Sequence, residues 1–279
     1  PGDIVAVPAV TPMWRNLDVQ DCNHQHSGGY LGGRYLSSKW DGMFAEYFKV
    51  PDVDLNVAKI PDGVSLEAAA LVGDMVTTGF HGVELADVKF GDRVCVIGIG
   101  PVGLMSVAGC VLRGAAEIYA VGHRPVTREL AMQYGATATI DYQDGPIVEQ
   151  VMKLTGGQQI EKVIIAGGEP TVFNDALALV KYTGTVANLA GHGRTELLLP
   201  IYTNESGFGF CAHKTVTGGL CPGGRRRIER LMGMVKTGRF EPEKLITHRF
   251  YGLDGIEEAF DLMKSKNPEV IKPIIYFDK

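Results

Sequence analysis

Gly98-Ile99-Gly100-Pro101-Val102-Gly103 has the spacing of a turn that cradles a diphosphate. It follows an apolar stretch, 93–97, that reads as a strand, and it opens a stretch, 102–113, that reads as a helix. In that setting the first glycine permits a tight turn, the second lets backbone amides approach a pyrophosphate, and the third lets helix and strand pack; Pro101 and Val102 complete the turn. The helix N-terminus then faces the phosphates with partial positive charge. A nicotinamide dinucleotide is the ligand such a unit predicts.

The far end of that ligand is addressed by a second cluster. Dinucleotide sites specific for NAD place Asp or Glu at the end of the second strand, where it bonds the ribose hydroxyls. Here Val121 is followed by Gly122-His123-Arg124. A carboxylate there would repel a phosphate, whereas Gly122 leaves room and Arg124 supplies a forked, permanently charged donor. His123 can donate as well, and Tyr142, just past the third strand, adds a hydroxyl. The position therefore favours the 2′-phosphate of NADP.

These residues need a scaffold, and the sequence from 92 to 188 supplies one. Strands over 93–97, 118–121, 137–140, 162–166 and 185–188 alternate with helices over 102–113, 126–134, 146–154 and 171–180. Repeated units of this size predict an α/β fold with a parallel, doubly wound sheet. Before it, to about Asn56, Gly, Pro, Ser and Asn surround short strands over 4–7 and 44–50, which predicts irregular β structure. Ser65 reads as the N-cap of an alanine-rich helix, and a second helical run covers 74–84. Asp74, Thr78 and His81 stand at i, i+4 and i+7 and share one face if that helix is regular. After Gly219 come helices over 225–235 and 256–264 and a final apolar strand over 271–277.

Composition narrows the partners. The 279 residues, 45% hydrophobic with 36 glycines, suit one large or two ordinary α/β domains, and a net charge of −5 provides no general basic field for nucleic acid. Arg225-Arg226-Arg227 reads as a solvated helix face or a subunit contact. No apolar run reaches membrane-spanning length, and the start, Pro1-Gly2-Asp3-Ile4-Val5, is unlike a signal peptide; it reads as a chain cut within a domain. Five cysteines without a Cys-x-x-Cys pair suggest neither a disulfide framework nor a zinc ribbon, and point to a reducing, cytoplasmic setting. Cys22-Asn23-His24-Gln25-His26 has the residue types of a metal site on a polar loop, and alternate spacing in an extended strand would put all three on one face.

Three stretches together carry a family resemblance: Val72-Gly73-Asp74-Met75-Val76-Thr77-Thr78-Gly79-Phe80-His81-Gly82, the turn from Gly98 to Gly103, and Gly218-Gly219-Leu220-Cys221-Pro222-Gly223-Gly224. Pro8-Ala9-Val10-Thr11-Pro12, His26-Ser27-Gly28-Gly29 and Ile271-Lys272-Pro273 extend it nearly end to end. The chain resembles the NADP-dependent secondary-alcohol dehydrogenases of the zinc-containing medium-chain family. The resemblance implies a GroES-like, β-rich catalytic domain over 1–77 and 221–279, N-terminally incomplete, with a Rossmann NADP-binding domain over 78–220 inserted in it. It implies hydride transfer between NADP(H) and small secondary alcohols or ketones, in a cleft between domains and in a homotetramer. A catalytic zinc would bind the alcohol oxygen and stabilise the developing alkoxide.

By the same resemblance Asp74 is a metal ligand, Thr78 lies near the nicotinamide, and Ala9, Val10 and Leu220 line a small apolar substrate pocket. His81 reads as a packed helix residue. The family holds its zinc with a Cys, a His and an Asp, and only the Asp has a counterpart here; the Ser or Thr that relays the proton has none. It places no metal at Cys22, His24 and His26. Arg34, where relatives often carry Trp, and the loop 189–194 also depart from the pattern. Two readings stay open at this stage: an NADP-linked zinc alcohol dehydrogenase, or a metal-free NADP-binding protein, either a reductase or a non-catalytic remnant.

Overall fold

The computed structural model describes residues 1–15, 17, 19, 43–197 and 213–277. The chain divides into two compact units, Pro1–Thr77 with Leu220–Lys279, and Thr78–Gly219. Arg34 and the Cys22, His24 and His26 cluster lie outside the described residues.

The first unit opens with a two-residue strand, β1 (Val5–Ala6), followed by a short helix, α1 (Val53–Asn56), and β2 (Ala58–Lys59), which pairs antiparallel with β1. Asn56 is fully buried and ties this region together: its amide donates to the Pro12 and Pro51 carbonyls and accepts from the Trp14 indole. A buried amide needs such partners, because an unmet donor costs about 1–3 kcal/mol. Ser65 caps α2 (Leu66–Leu71), its hydroxyl accepting from the Ala68 amide at 3.0 Å. The chain then winds as a π-helix over Val72–Val76 before α3 (Thr77–Leu85).

The π turn makes this helical run less regular than expected, yet Asp74, Thr78 and His81 are the half-buried positions between 71 and 83 while their neighbours are buried, the exposure pattern that a shared face gives. Residues 43–50 differ from expectation, forming bends and irregular chain rather than the strand over 44–50. Strand propensity reports fit to a half-buried, paired surface. Phe44 instead packs edge-on against Phe260, and Tyr47 is exposed.

Among its described residues the second unit holds six parallel strands: β3 (Arg93–Ile97), β4 (Glu117–Val121), β5 (Ala138–Ile140), β6 (Ile160–Ile165), β7 (Val180–Asn188) and β8 (Thr215–Gly218). Their order is β5-β4-β3-β6-β7-β8. Helices α4 (Pro101–Leu112), α5 (Pro125–Gln133), α6 (Ile147–Leu154) and α7 (Val172–Leu179) make the crossovers. Because helices cover both faces, the central strands are buried along most of their length rather than at alternate positions: four of five in β3 and five of six in β6, where Lys162 is buried beside the apolar run Val163 to Ile165. Ile164, Ile165, Leu177 and Leu179 are completely buried, each contributing about 1.5–3 kcal/mol.

Two glycines set the helix packing in this unit. A Cβ on Gly79 would lie 2.6 Å from the Val102 carbonyl oxygen, and one on Gly82 would lie 2.5 Å from Leu189. Thus α3 approaches α4 backbone to backbone, and the Ser106 hydroxyl seals the contact by donating to the Gly79 carbonyl.

The first unit ends with α8 (Arg225–Lys236), β9 (Ile246–Tyr251), α9 (Asp254–Lys264) and β10 (Lys272–Tyr276). Strands β9 and β10 pair in parallel, and Glu67 on α2 receives the Arg249 guanidinium and the Tyr276 hydroxyl from them. The sequence reading did not include β8 or β9.

Candidate dinucleotide site

The strand order reverses between β3 and β6, and in open parallel sheets ligands bind at the carboxyl ends of strands beside that point. Backbone bonds hold those ends together: Gly98 N to Val121 O at 3.0 Å, Gly122 N to Ile140 O at 2.9 Å, and Ala166 N to Ile97 O at 2.8 Å. Beyond them opens a cleft of about 620 Å³, a size that suits a cofactor. Its walls include Gly98, Ile99 and Gly100 after β3, Gly122, His123 and Arg124 after β4, and Gly167 after β6.

Each glycine of the first turn has its own geometric reason. Gly98 stands at φ +91°, and a Cβ there would meet the Gly167 amide nitrogen at 2.6 Å. A Cβ on Gly103 would fall 1.9 Å from the Gly98 carbonyl oxygen. Gly100, by contrast, has nothing within 4 Å of a would-be Cβ. The outer two are demanded by the protein's own backbone, while the middle one keeps space open on the cleft side. Pro101, Val102 and Gly103 form the first turn of α4 and do not line the cleft. Pro101 starts the helix, where its missing N–H is not needed, and the Val102 and Gly103 amides belong to the end that carries partial positive charge.

At the β4 end no carboxylate occupies 121–124. A Cβ on Gly122 would collide with Ile99 at 2.3 Å, so this glycine also serves the packing of the turn. Arg124 sits at the N-cap of α5, and partial burial pulls its pKa down while Tyr142 opposes the shift. Arginine remains charged across any working pH. Tyr142 lines the same cleft, its ring 5.8 Å from the His123 ring.

One residue in this corner was missed by the sequence reading. Asp141, just past β5, is 3.2 Å from His123 Nδ1 through both carboxylate oxygens, 3.2 Å from Arg128 Nη1, and 2.9 Å from the Gln143 amide nitrogen. The Gln143 amide, with His123 and Arg128, holds its carboxyl below the usual range despite burial. Its signal was its place at the end of the strand beside β4. Thr127, whose hydroxyl donates to the Arg124 carbonyl at 2.9 Å, and the second glycine turn, Gly167-Gly168, were likewise not singled out.

The remaining expected residues are not among those that line this cleft. Asp74 is half-buried on the π turn, and Thr78 is half-buried at the start of α3. His81 bonds Glu84 at 3.3 Å, and the Gly219 backbone packs beside its ring. The Ala9 amide donates to the Gly73 carbonyl, Val10 is buried with its carbonyl against Gly223, and Leu220 is exposed. Among the described residues no group of three His, Cys, Asp or Glu side chains could hold a metal ion.

A doubly wound sheet with a glycine turn at its switch point defines the class, a dinucleotide-binding α/β protein. A sequence profile described as zinc-binding dehydrogenase matches residues 101–236. The NADP-dependent isopropanol dehydrogenase of Thermoanaerobacter brockii is 53% identical over 99% of this chain and 78% of its own length. The enzyme of the same name from Clostridium beijerinckii is 50% identical over the same shares. Among solved structures, alcohol dehydrogenase TADH from Thermus sp. ATN1 superposes with a TM-score of 0.86 at 26% identity, covering 100% of this chain and 78% of that one. The chain belongs to the zinc-binding dehydrogenases, on their NADP-dependent secondary-alcohol dehydrogenase branch. Its fold is accordingly a Rossmann sheet together with GroES-like structure.

Proposed function

We propose that this chain works as an oxidoreductase that transfers a hydride between NADP(H) and a small secondary alcohol or its ketone. The observation that carries the cofactor choice is the cleft corner made by Gly122, His123, Arg124 and Tyr142, which has cationic and hydroxyl donors where an NAD site has a carboxylate. Bound there, NADP(H) supplies or accepts the hydride. Gly98 permits the turn and Gly100 gives the diphosphate room, the Val102 and Gly103 amides at the start of α4 attract it, and Arg124, His123 and Tyr142 hold the 2′-phosphate. Thr78 stands near the nicotinamide, and Ala9, Val10 and Leu220 contribute apolar surface to the alcohol, a chemistry supported by the isopropanol dehydrogenases this chain is similar to. The Rossmann domain is taken as 78–220, and the catalytic domain as 1–77 and 221–279.

Asp74 is the candidate metal ligand, and the π turn that carries it is a form of helix often found at functional sites. A single carboxylate does not hold a catalytic zinc, so the described residues do not fit the metal by themselves, and no step is routed through it. The proposal also includes a cytoplasmic setting and a homotetramer. The buried free thiols of Cys95, Cys110 and Cys221 support the first, and no helix among the described residues is long and apolar enough to cross a membrane.

The test is Arg124→Ala with both cofactors. Loss of charged hydrogen bonds, about 1.5–3 kcal/mol, should weaken NADP by roughly ten- to a hundredfold and leave NAD nearly unchanged. Equal loss for both cofactors would sink the assignment.

A further inference from the structure

We propose that binding of the 2′-phosphate places a proton on His123, and that Asp141 is the positioning residue that makes His123 able to take it. This inference rests on the NADP reading above and adds a regulation to the same site.

An ionised carboxylate accepts and never donates, so the Asp141 contact to Nδ1 requires the hydrogen to sit on Nδ1. In the neutral ring that leaves Nε2 with a lone pair. A lone pair faces a phosphate dianion as acceptor against acceptor. His123 therefore becomes a phosphate donor only by taking a proton from solvent onto Nε2, which yields an imidazolium held between Asp141 and the phosphate. No other bond forms or breaks in this step.

Charges of both signs surround the ring. From the segment beyond β5 come Asp141 and Tyr142; from α5 comes Arg128, which shares the Asp141 carboxylate; Arg124 is the chain neighbour of His123. Glu169, beyond β6, lines the same cleft. The two arginines oppose an added positive charge, whereas Asp141 and an arriving dianion favour it. Asp141 itself is turned away from solvent, with its side chain 10% exposed. Its three donors occupy the carboxylate, so an acidic group beside a phosphate site orients a histidine instead of repelling the ligand.

The probes are 2′,5′-ADP, which carries the 2′-phosphate, and 5′-AMP, which lacks it. Calorimetric titration of the chain in buffers of different ionisation enthalpy reads the protons taken up. Just above the histidine range, the uptake with 2′,5′-ADP should approach one proton more than with 5′-AMP, and His123→Gln should abolish the difference. The second ionisation of a phosphate monoester lies at about 6, so above the histidine range the added phosphate is already mostly a dianion and contributes little to the difference. Asp141→Asn should cut the preference for 2′,5′-ADP by about tenfold, and adding it to His123→Gln should cost little more. In the wild-type chain, ¹⁵N shifts of the His123 ring should show hydrogen on Nδ1 before the ligand and on both nitrogens after it, a readout that stands even if the Asp141 variant fails to fold. Equal uptake for both ligands, or hydrogen on Nε2 in the free protein, overturns the proposal. If the wild-type chain does not prefer 2′,5′-ADP, the NADP reading itself fails. If it does so through Arg124 with no uptake, only this inference fails.

Discussion

The three glycines of the first turn make opposite demands, which Gly100→Ala and Gly103→Ala separate. In Gly103→Ala the new methyl lies 1.9 Å from the Gly98 carbonyl oxygen, so β3 and α4 must part by about an ångström to restore contact distance. Both partners are backbone, and neither can swing aside. Overpacking of this kind costs about 1–3 kcal/mol, and a melting temperature lowered by roughly 2–10 °C follows for a chain of this size. Gly100 has φ −72° and ψ −169°, which alanine adopts readily, and open space beside it. There the loss of a favoured N-cap residue and the gain from a stiffer unfolded chain cancel to within about 1 kcal/mol. The methyl instead stands where the diphosphate must approach, and losing charge-assisted amide bonds weakens NADPH by more than about tenfold. Differential scanning fluorimetry and NADPH fluorescence titration read the two effects. Wild-type affinity in Gly100→Ala, or wild-type melting in Gly103→Ala, would refute the division of roles.

Further expectations concern stability. Burial raises the Glu161 carboxyl, but Lys181 at 2.8 Å and Arg93 outweigh it and hold it at about 2. A depressed carboxyl stabilises the fold above its unfolded value, about 4.5, and the benefit is lost as pH falls toward 2. Glu161→Gln should therefore cost on the order of 1–3 kcal/mol in urea unfolding near neutral pH, with the gap narrowing steadily on acidification; a gap independent of pH would contradict the ion-pair origin. Ser65→Ala removes the cap of α2 and should cost about 1 kcal/mol in thermal unfolding, with Ser65→Asp restoring most of it. If the aspartate variant melts no higher than the alanine one, the hydroxyl matters for its bond to Glu243 instead.

The central sheet was legible in the sequence because each of its parts obeys a local rule. Buried parallel strands carry apolar runs, Val94 to Ile97 in β3 and Val163 to Ile165 in β6, and the helices between them show their own period, so most boundaries fell within a few residues; β7 is the exception, starting at Val180 instead of 185. The turn at Gly98 was legible because glycine spacing there answers to backbone contacts one turn apart. Asp141 was not, since its partners His123 and Arg128 are 18 and 13 residues away and meet only when β4 and β5 pair. β8 escaped notice because it is a short, largely exposed edge strand without an apolar run. The π turn at Val72–Val76 escaped because its composition suits an α-helix equally well. The 44–50 segment failed in the other direction, with aromatic and β-branched residues that look like strand but lack a pairing neighbour in the described structure.

The central claim is that this cleft reads the 2′-phosphate. Titration of the wild-type chain with NADPH and with NADH at matched salt tests it most directly. The arrangement of Gly122, His123 and Arg124 predicts NADPH binding at least about tenfold tighter. Equal affinity, or tighter binding of NADH, would contradict it.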